Sequence, residues 1–112
     1  MKRTIITTLL VLAPVTSFAA EAVVPEKAAL CTACHGEAGA KPIAPTYPVL
    51  AGQYGDYLAQ ALHEYKAGTR KNAVMGAQAA MLSDDEIKAL ADYFSLQDGP
   101  LYTPSVGDAA AK

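Results

Sequence analysis

The stretch ALCTACHGEAGAKP, residues 29–42, holds both cysteines of the chain and one of its two histidines. Cys31 and Cys34 are separated by two residues, and His35 follows at once. Such a triplet can hold a metal ion, exchange electrons as a disulfide, or tether something larger. Which of these it does sets what so short a chain must fold around.

At 112 residues the chain is one domain at most. Residues 1–19 read as a cleaved secretory signal peptide: Lys2 and Arg3 supply a positive start and residues 5–15 are almost wholly apolar. Ser17 and Ala19 put small residues where a signal peptidase reads, so cleavage is expected after Ala19, with Ala22 the alternative. The apolar run is too short to span a bilayer. About 90 residues remain, and losing Lys2 and Arg3 takes the formal charge from −2 to −4, which argues against nucleic acid as a partner. Large apolar side chains are few after residue 25 and tryptophan is absent. A core this thin needs a disulfide, a metal or a large cofactor to staple it.

Helical signals follow one another. Pro25 and Glu26 look like the first turn of a helix that runs through both cysteines and stops near Gly36. Prolines and glycines make residues 36–52 a loop. Tyr54, Tyr57, Leu58, Ala61, Leu62 and Tyr65 recur at helical spacing up to Gly68. Residues 69–81 read as loop or weak helix. Ser83 and Glu86 form a capping box with Leu82 and Ile87 as a hydrophobic staple, and Ile87, Leu90, Ala91 and Phe94 give the last helix its buried face. No strand pattern appears, so the fold is expected to be all-α. The boundaries follow as a signal peptide at 1–19, a domain at 20–98 and a loosely held tail at 99–112.

An all-helical chain weighs against thiol exchange, which places its Cys-x-x-Cys pair at a helix start between strands. A structural zinc site wants four ligands. Cys31, Cys34 and His35 give three, neighbouring side chains diverge, and His63 lies alone in mid-helix. Copper held by Cys, His and Met is a minor option. Haem fits best. Cys31 and Cys34 at i and i+3 point to one side, where they can meet two vinyl groups, and His35 can reach the iron. The other axial position then has Met75, Met81 and His63 as candidates. Met75 is favoured because it lies in a loop-like stretch far along the chain; the staple accounts for Met81, and His63 faces away from the Tyr54, Leu58 and Leu62 row.

Beyond residues 31–36, the stretch YPVLAGQYGDYLAQAL from Tyr47, the spacing of Gly68, Arg70, Asn72 and Met75, and LSDDEIKALADYFSLQ from Leu82 appear in one order. In these the chain resembles the small class I c-type cytochromes of the bacterial periplasm, in particular cytochrome c-five-five-three and the di-haem cytochrome c-four. The resemblance implies a small fold of about three to five helices and long loops around one covalently bound haem c. It implies attachment through Cys31 and Cys34, His35 and Met75 as axial ligands, and an N-terminal helix crossing the C-terminal one, with Ala28 meeting Tyr93 or Phe94. It also implies a proline carbonyl accepting the ring proton of His35, with Pro45 ahead of Pro48. An apolar shell of Ile43, Val49, Leu50, Leu58, Leu62, Val74 and Leu82 is expected around the cofactor. Of Lys66, Arg70 and Lys71, a docking patch or an ordinary helix end, Arg70 is the better partner for the haem propionates.

The expected role is that of a periplasmic one-electron carrier between respiratory complexes, not an enzyme. It would be a monomer meeting a donor complex and a terminal oxidase or reductase transiently, with no membrane span after signal cleavage. The alternatives are a haem-bearing subunit of an oxidoreductase and a haem sensor with an open distal site.

Overall fold

The computed structural model describes residues 23–102. The expected signal peptide lies outside the described residues, as does the tail beyond residue 102. Four α-helices follow one another: α1 (Ala28–His35), α2 (Gly55–Ala67), α3 (Ala73–Ala80) and α4 (Asp84–Ser95), with a 3-10 turn at Glu37–Gly39. Among the described residues there is no strand. The all-α expectation holds.

Helix α4 carries the strongest local signals. The Glu86 amide donates to Ser83 Oγ (3.2 Å) and the Ser83 amide to Glu86 Oε2 (2.8 Å), which closes the capping box. Lys27 Nζ, just before α1, donates to the same carboxylate at 3.0 Å and to the Met81 carbonyl at 2.8 Å. The start of α1 is thereby pinned to the start of α4. The hydrogen bond from Ser83 and then the Lys27 cation hold the Glu86 carboxyl below its ordinary value. Replacing Ser83 with alanine orphans an amide in the first turn. The expected loss is about 1 kcal/mol, or roughly 5 °C in the Tm of the holoprotein, read by thermal denaturation.

The buried face of α4 is the one its period dictates: Ile87, Leu90, Ala91 and Phe94. They share one cluster with Ala28, Leu58 and Leu82. Ala28 thus joins Phe94 in the core, with Tyr93 packed against it, although the main partner of α4 is α2, which also carries α3. Among the described residues, four of the nine buried apolar ones are alanines, so the core there is as thin as the composition suggests.

Two boundaries differ from expectation. Residues 25–27 form a turn, closed by the Ala28 amide on the Pro25 carbonyl at 2.9 Å, and the helix proper begins at Ala28. Residues 73–80 form a full helix, started by Asn72, whose Oδ1 accepts from the Met75 amide at 3.0 Å. Eight residues are too few to hold a helix alone in water, so packing on α2 makes α3.

Candidate functional site

One large cavity, about 690 Å³, opens between α1, α2, α3 and the loop before α2. Cys31, Cys34 and His35 reach it from α1, Met75 from α3, and Leu50, Leu58 and Phe94 help form its walls. This is the size of a cofactor site. It brings together all four residues singled out from sequence.

His35 closes α1 and is 5% exposed. Its Nδ1–H donates to the Pro48 carbonyl at 2.7 Å, and Tyr47 meets the ring edge-on at a centroid distance of 6.1 Å. A carbonyl only accepts, so Nδ1 carries a proton, and in the neutral ring Nε2 then keeps its lone pair. The acceptor is Pro48 and not Pro45, the proline that the resemblance favours. Such a bond fixes the imidazole and makes Nε2 a better donor to a metal.

The turn after His35 depends on Gly36. Its φ of 82° lies in the left-handed region, and a Cβ built there would fall 1.7 Å from the Lys41 carbonyl oxygen. The Gly36 amide caps α1 on the Thr32 carbonyl at 2.9 Å, and the Ile43 amide closes on the Cys34 carbonyl at 3.1 Å. These bonds wrap the loop back over the helix end and bring Pro48 to His35. Gly36→Ala is expected to cost about 3 kcal/mol through strain and overpacking. For a domain of this size that is roughly 15 °C in Tm, checked by thermal denaturation of the holoprotein.

The cysteines sit half-buried, with the Cys31 thiol 3.7 Å from the Lys27 carbonyl. Burial pushes the Cys31 thiol above its ordinary value, outweighing a weaker backbone hydrogen bond. An exchange thiol needs the opposite shift. Among the described residues, no group of three or more His, Cys, Asp and Glu side chains could hold a metal ion. The geometry therefore fits a large apolar ring system anchored at Cys31, Cys34 and His35 better than a bare ion.

The other two ligand candidates lie elsewhere. His63 is outside the cavity, 3.9 Å from Asp84, with its side chain 45% exposed. Met81 ends α3 at 56% exposure, so packing does not account for it as expected, and it too misses the large cavity. Of the expected apolar shell, Val49, Leu50, Leu58, Leu62 and Val74 line the cavity. Ile43 instead faces solvent at 67% exposure, and Leu82 belongs to the core.

The family model described as cytochrome c matches residues 25–96. The chain belongs to the cytochrome c family. Membership brings covalent haem c and electron transfer, and Cys31 and Cys34 stand in the Cys-x-x-Cys-His arrangement that attachment requires. Cytochrome c-554(548) of Halomonas halodenitrificans is 41% identical over 76 residues, 65% of this chain and 90% of that protein. The thiosulfate dehydrogenase electron acceptor of Stutzerimonas stutzeri is 46% identical over 68 residues, 58% of this chain and 31% of that protein. Reduced recombinant cytochrome c4 from Pseudomonas stutzeri superposes with a TM-score of 0.57 at 33% identity, covering 61% of this chain and 38% of that one. The chain spans about a third of the length of the first curated relatives it matches.

Tyr57 and Tyr65 are lining residues that no motif announces. Their helical spacing says only that they share a helix face, and both line the cavity. The available signal was their polar tips, eight residues apart on one helix that ends three residues before Arg70.

Proposed function

We propose that this cytochrome is an exported one-electron carrier, with haem c joined to Cys31 and Cys34 and its iron held by His35 and Met75. The observation that carries the reading is the convergence of those four side chains on one cavity from α1 and α3, which are distant in sequence. Haem supplies the redox chemistry, cycling between Fe(III) and Fe(II).

The chain does the rest. Pro48 holds His35 in one tautomer. Leu50, Leu58 and Leu62 exclude water from the cavity wall. An apolar wall disfavours net charge, and a thioether favours reduced iron, so both raise the potential. With His35 and Met75 as the two ligands, no position is left for oxygen or peroxide, and the protein passes electrons without a substrate of its own. The positive start and apolar run of residues 1–19 support export to the periplasm. Among the described residues no helix is long and apolar enough to cross a membrane. A donor complex and a terminal oxidase or reductase are the transient partners. Lys66 is engaged by Asp84 at 3.0 Å, which leaves it a poor docking cation.

The test is the absorption spectrum of the protein matured with haem-attachment machinery. Low-spin spectra in both redox states, with haem retained under denaturation, support the carrier. A high-spin spectrum with carbon monoxide uptake favours a sensor.

The names of its relatives favour one further reading, an electron-accepting subunit of a larger oxidoreductase. A thiosulfate dehydrogenase chain from Marichromatium purpuratum matches with a TM-score of 0.56 at 34% identity, covering 72% of this chain and 18% of that one. Recovery of the haem protein only in a larger assembly would favour the subunit; elution at single-chain mass favours the free carrier.

A further inference from the structure

Apart from Met1, the chain has two methionines, Met75 and Met81. Their surroundings differ. Met75 is half-buried and lines the large cavity, where the haem reading gives its thioether to iron. Met81 ends α3 at 56% exposure and stays out of that cavity. A thioether bound to a metal has its lone pair engaged, whereas an exposed one is open to oxidation to the sulfoxide.

The two methionines nevertheless share a second, smaller cavity of about 100 Å³. Cys31 and Leu62 line both cavities, so the small one adjoins the wall of the large one. Its apolar lining is broken by Lys27 and Gln78. Lys27 Nζ donates to the Met81 carbonyl at 2.8 Å and to Glu86 Oε2 at 3.0 Å, which leaves one of an ammonium's three N–H groups. The Gln78 amide carries two more. A sulfoxide oxygen in this cavity would find donors in the lining, while the thioether it replaces is only a weak acceptor.

We propose that Met81 is a modification site, at which oxidation by a peroxide lowers the reduction potential of the haem. The sulfur lone pair attacks one oxygen of hydrogen peroxide, and the S–O bond forms as the O–O bond breaks. The departing hydroxide takes the proton from the retained oxygen and leaves as water. Sulfur is oxidised by two electrons and the peroxide is reduced by two. Held by Lys27 or Gln78, the new S–O dipole brings polarity and water to the wall beside Met75. A wetter wall stabilises the extra charge of Fe(III) and loosens the Met75 thioether. The inference rests on the haem reading above.

The experiment exposes the oxidised, haem-loaded protein to excess hydrogen peroxide and locates added oxygen by peptide mass spectrometry. Potential and carbon monoxide uptake are measured once the peroxide is removed. One oxygen atom is expected on Met81, with Met75 unmodified. The reduced-to-oxidised equilibrium constant should fall about threefold, which is ~30 mV for a one-electron couple, and the reduced protein should take up carbon monoxide faster. Methionine sulfoxide reductase should restore both values, which damage to the haem would not allow. Met81→Leu given the same dose should keep both. Complete oxidation of Met81 with potential and uptake unchanged overturns the proposal. So does oxygen on Met75 with Met81 intact, or an equal response in Met81→Leu. A protein without low-spin covalent haem before any peroxide is added overturns the haem reading itself.

Discussion

A Cys31→Ala/Cys34→Ala double variant is expected to lose its cooperative fold. Among the described residues few large side chains are packed fully: Ile87 and Leu90 are the largest that are wholly buried, and four of the nine buried apolar residues are alanines. Leu50, Leu58 and Phe94 turn part of their surface into a cavity of about 690 Å³. If that volume stayed dry without its cofactor, a cost of about 24 cal/mol per Å³ would come to ~17 kcal/mol. The whole stability of a domain is about 5–15 kcal/mol. If water flooded it instead, the apolar walls would lose the burial that holds them. Either outcome leaves α3, too short to persist alone, without a surface to pack on. Thermal denaturation followed by far-ultraviolet circular dichroism should show a sharp transition in the haem-loaded wild type, and a gradual one from lower helix content in the variant. A sharp transition of equal midpoint in the variant would show that the polypeptide core suffices.

Met75→Ala is expected to keep covalent haem and open its distal position. Met75 is the third residue of α3, its amide held by Asn72 Oδ1, so its backbone is fixed before any cofactor is considered. Alanine at this place is a good helix residue, which confines the change to the missing thioether. The oxidised variant should lose the weak red-end band of the wild type, turn high-spin and bind carbon monoxide when reduced. Its potential should fall by something on the order of 100 mV, within the ~0.8 V that axial ligands command. Met81→Ala should leave spectrum and potential as they are, since Met81 is exposed and outside the large cavity. Reversal of the two phenotypes would move the ligand to Met81.

The helices that sequence marked most clearly are those with their own local signals. The capping box at Ser83 and Glu86 and the period of Ile87, Leu90 and Phe94 specify α4 without reference to the rest of the chain. Gly68 stops α2 because a left-handed residue there, at φ 74°, accommodates glycine without strain. The alanine-rich α3 lacks a hydrophobic stripe that would announce it. Tyr57 and Tyr65 carry helical spacing that is the same whether a residue faces a side-chain core or a cofactor, so periodicity could not separate the two.

By itself the sequence determined that two thiols and an imidazole stand within five consecutive residues. That spacing is covalent and no distant contact can alter it, whereas α1, at eight residues, owes its helical turn to packing as α3 does. Tertiary structure decided what surrounds that turn. Pro48 rather than Pro45 meets His35, Met75 and not Met81 reaches the cavity, and Arg70 lies against Tyr57 and Tyr65. Each of these depends on where a loop or a short helix is pressed when α2 packs on α3 and α4. The free energy that selects those positions comes from contacts between segments far apart in the chain, and no local pattern of residues encodes it.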